Sequence, residues 1–261
     1  MTQATKVLIV EDSRIQAKIM SDHVRDRLPY EVLVAETLAQ TREILEAEGD
    51  AIFVAVLDLN LPDDPGGEIV RLAVSHNAPS VVMTSSFNEE VRTRLLEQNV
   101  VDYFLKSMAQ VRDMEDLIER LHKNLSVKVL AVDDSKLARN RIVTLLKNQN
   151  YRTVEAEDGK EALRVLADNP DVRLCITDYN MPNMDGFELI SELRRDKPKE
   201  ELAIIGISGE DGRQTARFLK IGANDSLQKP IQAEEFYCRV NQQMDIQDMM
   251  RACRDYRAKL G

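Results

Sequence analysis

The nine residues KVLIVEDSR at 6–14 return as KVLAVDDSK at 128–136. A chain that repeats an apolar run closed by two acids and a serine is constrained to build one unit twice. The parallel continues beyond the repeat. In the first half the short apolar runs VLIV, EVLVA, FVAVLDL, SVVMT and VDYFL alternate with stretches of helical period such as Ile15–Arg27. In the second half VLAV, RTVEA, RLCITD, AIIGIS and NDSLQK alternate with stretches such as Leu137–Asn148. Short strands that are apolar throughout belong in a parallel sheet covered on both faces. Strand–helix alternation repeated five times per half reads as two doubly wound α/β sandwiches. The expected boundaries are 1–124 and 127–245, with a helical extension over 246–261. The join at Leu125–Val127 is too short for a flexible tether.

Charge and composition narrow the function. The 261 residues carry a net charge of −10. Up to Asn124 there are 13 basic against 22 acidic residues, and after it 22 against 23. An acidic half and a neutral half do not attract phosphate backbones, so no direct nucleic-acid binding is expected. No apolar run reaches the ~20 residues of a membrane span, and the start of the chain lacks a signal-peptide pattern. Cys175, Cys238 and Cys253 are an odd set without metal-ligand spacing, which reads as reduced thiols in a cytoplasmic protein.

In an open parallel sheet the reactive groups lie beyond the carboxyl ends of the strands. The first strand of each half ends in Glu11-Asp12 and in Asp133-Asp134. The third ends in Asp58 and Asp178, the fourth in Thr84 and Ser208, and the fifth runs into Lys106 and Lys229. Three carboxylates at one edge repel each other and call for a counter-charge. A hard cation with oxygen ligands, Mg²⁺ first, supplies it. An aspartate held there can attack phosphorus and become an acyl phosphate, with the lysine and the hydroxyl on the phosphoryl oxygens. The set has no strong general base, so transfer onto aspartate is expected rather than fast turnover. Either Asp-Ser pair taken alone also reads as a helix N-cap.

DYNMPNMDG at 178–186 and GANDSLQKP at 222–230 resemble the signatures of response-regulator receiver domains, the phosphoacceptor modules of two-component signalling. DLNLPDDPGG at 58–67 matches more loosely. The resemblance implies two flavodoxin-like domains with Asp178 as the better phosphoacceptor and Asp58 as the second. It implies Mg²⁺ held by Asp133, Asp134, Asp178 and the Asn180 carbonyl, and in the first copy by Glu11, Asp12, Asp58 and the Asn60 carbonyl. Ser208, Lys229, Thr84 and Lys106 would bind phosphoryl oxygens. A sensor histidine kinase or phosphotransfer protein would be the donor.

Each copy departs from that pattern. Lys229 precedes Pro230, a bond that is typically cis in the family, whereas Lys106 precedes Ser107, so either Lys106 is aimed differently or a strained bond is kept there. Tyr103 stands where receivers carry a switch aromatic, and Ser226 replaces it in the second copy. After the second receiver, Ile246, Met249, Cys253, Tyr256 and Leu260 recur at the spacing of a two-heptad seam. The layout resembles the front half of tandem-receiver diguanylate cyclases, which implies a homodimer and a cyclic di-GMP-making output domain. Two other readings remain open: a phosphate-independent scaffold, and a Mg²⁺ phosphohydrolase. The latter lacks the acid two residues after the nucleophile, where Asn60 and Asn180 stand.

Overall fold

Every strand pair runs parallel, and both sheets follow one topology. The computed structural model describes residues 6–85, 88–98, 100–106, 108–209 and 214–258. The chain divides into two compact units, Met1–Asn124 with Asn148–Asn150, and Leu125–Lys147 with Tyr151–Gly261. The first runs β1 (Lys6–Val10), α1 (Arg14–Arg27), β2 (Glu31–Ala35), α2 (Leu38–Glu48), β3 (Ile52–Asp58), α3 (Glu68–Ser75), β4 (Ser80–Thr84), α4 (Glu89–Glu97), β5 (Asp102–Leu105) and α5 (Met108–Asn124). The second runs β6 (Lys128–Val132), α6 (Lys136–Asn148), β7 (Arg152–Ala156), α7 (Gly159–Asp168), β8 (Val172–Asp178), α8 (Gly186–Asp196), β9 (Ala203–Ser208), α9 (Thr215–Ile221), β10 (Asp225–Gln228) and α10 (Ala233–Ala258).

The sheet orders are β2-β1-β3-β4-β5 and β7-β6-β8-β9-β10. The expected pair of five-stranded doubly wound sheets is therefore present. Even the irregularities correspond: pairing of the first strand with the third slips between Lys6 and Val7, and again between Lys128 and Val129. The strands are apolar throughout because both faces are covered. Along β6, Val129 and Ala131 pack into a cluster with Ile142 and Leu146 of α6 and Phe236 and Val240 of α10. The alternate residues Leu130 and Val132 join Leu166, Phe187, Leu189 and Phe218 on the opposite face. This is the two-residue side-chain period of a strand feeding two cores.

The C-terminal extension is the far half of one 26-residue helix, α10. Its buried residues are Phe236, Val240, Gln243, Met244 and Gln247, and every described residue from Asp248 on is exposed. Burying each of the three apolar side chains is worth about 1.5–3 kcal/mol, whereas the outer half has no buried residue among those described. The changeover is tied down by Arg173 in β8. Its guanidinium donates to Gln247 Oε1 at 3.2 Å and to Asp248 Oδ1 at 2.6 Å, and Gln247 Nε2 donates back to the Arg173 carbonyl at 2.9 Å. Of the expected seam, Ile246 is half-buried and Met249, Cys253 and Tyr256 are exposed, while Leu260 and Gly261 lie outside the described residues. Among the described residues no helix is long and apolar enough to cross a membrane.

Cys175 is fully buried in β8, and burial pushes its thiol up to about 12, whereas Cys238 and Cys253 are exposed. Thiolate is the reactive form. Native protein treated with N-ethylmaleimide near neutral pH should therefore gain two adducts quickly and the third only on unfolding, as read by intact mass against time.

Candidate functional site

The parallel topology delivers the same chemical set to one edge of each sheet. Glu11 and Asp12 follow β1, Asp58 and Thr84 close β3 and β4, and Lys106 follows β5. Asp133 and Asp134, Asp178, Ser208 and Lys229 take the matching places in the second unit.

In the first pocket Lys106 Nζ lies 2.6 Å from Asp58 Oδ2 and 2.8 Å from Glu11 Oε2. Asp58 Oδ1 accepts the Asn60 amide at 3.0 Å, and Asn60 Nδ2 donates to Ser85 Oγ at 2.9 Å. Of the two alternatives for Lys106, a different aim is excluded, and a strained bond to Ser107 falls outside the described residues. The Lys106 amide donates to the Thr84 carbonyl at 2.8 Å, which carries the β4–β5 pairing one residue further. Two buried carboxylates then draw the ammonium inward without help from a proline. Ser107 itself lies outside the described residues.

In the second pocket Lys229 Nζ lies 2.7 Å from Asp178 Oδ1 and 3.2 Å from Asp133 Oδ2. Its amide donates to the Ser208 carbonyl at 3.0 Å, and the Lys229–Pro230 bond is cis. Asp178 Oδ2 accepts the Asn180 amide at 2.9 Å, and Asp133 Oδ1 accepts the Ser135 amide at 2.8 Å. Ser208 Oγ donates to the Leu227 carbonyl at 3.2 Å. Asp-Ser therefore does more than cap a helix. Ser13, at the N-cap of α1, makes no side-chain capping bond, whereas Ser135 Oγ accepts the Ala138 amide at 3.4 Å, and each first-strand acid also accepts the serine amide.

Gly186 shows why an Asp-Gly pair follows the third strand. A Cβ there would sit 2.2 Å from the Asp178 carbonyl oxygen, and the Gly186 amide donates to the Tyr179 carbonyl at 3.0 Å. Only a residue without a side chain lets α8 start against the end of β8. The switch positions differ as expected in kind: Tyr103 is half-buried and packs against the first core, whereas Ser226 is buried.

Crowded carboxylates leave an electrostatic mark. Burial pushes the Glu11 carboxyl above its usual range; contact with Lys106 pulls it down, and the Asp58 charge pushes it up again. Burial raises Asp133 in the same way, against the Ser135 amide and Lys229 and with the charge of Asp178. Burial works to lower both lysines, but the carboxylates facing them outweigh it and hold Lys106 and Lys229 above the usual range. One carboxylate oxygen each from Glu11, Asp12 and Asp58 lies within 4.8 Å of the others. Glu11 Oε2 is buried and makes no hydrogen bond, its approach to Lys106 being that of an ion pair outside hydrogen-bond geometry. An all-oxygen cluster with a lone pair left over fits a hard divalent cation. As in that cluster, the second acid of the pair is exposed in the second pocket, at Asp134.

One residue at the second pocket escapes the sequence reading. Arg139 is buried and donates to the Asp133 carbonyl at 2.6 Å. Its signal in the sequence is a charge at 139 on the same helical stripe as Ile142 and Leu146.

Comparison with known proteins agrees with this architecture. The model of the response regulator receiver domain matches residues 7–121 and 129–241. The chain belongs to the response-regulator receiver family, and it holds two receivers in tandem. It is similar to a solved structure described as a probable two-component system response regulator/GGDEF domain protein, at 37% identity and a TM-score of 0.77 over 94% of this chain and 99% of that one. A single receiver's length matches two-component response regulator ORR5 of Oryza sativa, at 37% identity over 41% of this chain and 81% of the relative. The chemotaxis protein CheY homolog of Campylobacter jejuni is 41% identical over 40% of this chain and 82% of the relative. Of two-component response regulator ORR7 of Oryza sativa, 36% identical, the chain spans 50% of the length.

A carboxyl whose folded pKa is raised stabilises the fold when protonated. That contribution is complete below an unfolded value of about 4 and is lost as pH rises through the folded value. Asp133 is such a group. Asp133→Asn should therefore melt at a higher temperature than the wild type at neutral pH in chelator, with the gap closing as pH falls towards about 4. Melting curves across pH read this, and a wild type that melts higher at neutral pH would contradict it.

Proposed function

We infer that this chain is a two-component signalling module in which each receiver accepts a phosphoryl group on an aspartate. Asp178 is the leading acceptor and Asp58 the second, and a phosphohistidine on a sensor kinase or phosphotransfer protein is the donor. The observation that carries the reading is the lysine held across two acids at the same edge of both sheets. In the transfer an aspartate oxygen bonds to phosphorus as the phosphorus–nitrogen bond breaks, and the electron pair leaves with the imidazole. Lys229 or Lys106 gives up part of its carboxylate contact to hold a phosphoryl oxygen. Ser208 gives up its bond to the Leu227 carbonyl to donate to another, which loosens β9 from β10 at that point. Thr84 has the same task in the first receiver.

Mg²⁺ would be held by Asp133, Asp134, Asp178 and the Asn180 carbonyl, or by Glu11, Asp12, Asp58 and the Asn60 carbonyl, and would neutralise the charge that builds up in transfer. Asp178 leads because its pocket is the more open, the Lys229 side chain being 34% exposed against 15% for Lys106. The setting is cytoplasmic. The output is self-association through α10 and control of a cyclic di-GMP-making domain, a reading supported by similarity to a response regulator/GGDEF domain protein. The scaffold reading rests on the serine at 226 in place of an aromatic and the serine at 107 in place of a proline.

Treatment with acetyl phosphate and Mg²⁺ should add one phosphoryl group, about 80 Da, at Asp178 first and a second at Asp58 more slowly. Intact mass of the wild type, Asp58→Ala and Asp178→Ala assigns the sites. No addition to the wild type, together with an association state that neither substitution changes, would favour the scaffold.

A further inference from the structure

Arg139 sits in α6 with its side chain 8% exposed, an unusual place for a cation. All three arms of its guanidinium are engaged. Nη1 donates to the Asp133 carbonyl at 2.6 Å, Nε to Glu155 Oε2 at 3.1 Å and Nη2 to Glu157 Oε1 at 3.1 Å. Asp133 is the acid at the end of β6, Glu155 lies in β7, and Glu157 follows it. One planar fork therefore pins the turn that carries Asp133, Asp134 and Ser135 to the end of the neighbouring strand. Two glutamates neutralise the cation, so it adds little net charge to the pocket. Its contribution is geometric.

The first receiver solves the same problem otherwise. Five residues after its second acid, where Arg139 stands after Asp134, it has Ala17. Its nearest equivalent tie is an exposed one, from Arg14 Nε to Glu36 Oε1 at 2.9 Å. Its three acids converge within 4.8 Å. The second pocket thus has a buried brace where the first has Ala17.

We propose that Arg139 is a positioning residue for the second receiver's acidic pocket: by holding the Asp133 carbonyl against Glu155 and Glu157, it sets where the Asp133–Asp134 carboxylates meet a divalent cation. The proposal rests on the phosphoacceptor reading for its consequence, but cation binding tests it separately. Residues behind metal ligands commonly change affinity by about 10–100-fold when replaced.

The test uses the full chain carrying Asp58→Ala, so that the second pocket dominates. Mg²⁺ affinity is measured by calorimetry, and Asp178 labelling by acetyl phosphate is followed against Mg²⁺ concentration. Arg139→Met keeps the packing stem and removes every donor. Arg139→Lys keeps the charge but cannot reach three acceptors. Both are expected to weaken Mg²⁺ binding about tenfold and to shift the labelling curve to correspondingly higher Mg²⁺. In a chain with Asp58 intact, labelling at Asp58 is expected to stay unchanged in both variants, the internal control against general unfolding. Full rescue by Arg139→Lys would overturn positioning in favour of charge. Unchanged Mg²⁺ affinity in Arg139→Met, or equal losses at Asp58 and Asp178, would overturn the proposal. Mg²⁺ binding that responds to Arg139 while the parent chain takes no phosphoryl group would uphold it and remove the phosphoacceptor reading instead.

Discussion

A single ammonium bridging two carboxylates is the interaction on which the rest of each receiver turns. It joins the last strand to the first and third across the sheet edge, between Lys106, Glu11 and Asp58 in one unit and Lys229, Asp133 and Asp178 in the other. The strand order places the first and third strands side by side, with the fifth two places further out. Only long side chains span that gap. A buried acid cluster without a cation would be costly, and a buried cation without the acids equally so. Each half of the clamp therefore makes the other tolerable. The raised Glu11 and Asp133 carboxyls show that the compensation is incomplete, and that residue of unneutralised charge is what a divalent ion can answer.

The architecture is legible in the sequence because its signals are local and periodic. Uniformly apolar strands and acids at strand ends identify the sheet and its working edge, and the duplicated opening identifies two of them. What escapes is whatever depends on a partner distant in sequence. Lys106 lacks the following proline, yet Glu11 and Asp58 draw it in. Arg139 reads as one more charge on a helix until Glu155, Glu157 and the Asp133 carbonyl come around it.

Between the copies, structure is kept while the residues that secure it change. In the first unit Asp63 reaches across to accept the Leu38 and Ala39 amides at 2.9 and 3.1 Å, and Asp64 accepts those of Glu68 and Ile69 at 2.7 and 2.8 Å. In the second, Asp158 caps α7 and takes a bond from Asn183 at 2.7 Å, while Asp185 and Glu188 form a reciprocal capping box on α8. Orphan amides at helix starts must be met. Either set of side chains does so, and the loop beside the third strand is held to its neighbour in both.

The root of α10 has a mechanical consequence. Arg173 shares a strand with Asp178, and it grips the helix at Gln247 and Asp248, where the buried face of the helix ends. The described helix continues eleven residues past Gln247. At the usual rise that overhang is about 16 Å, so a tilt of about 10° at the grip sweeps its tip through about 3 Å. The strand bearing the candidate acceptor and the fulcrum of the lever are thus one piece of backbone. Any shift of β8 would reach that overhang through the Arg173 guanidinium and the Gln247 and Asp248 side chains it holds.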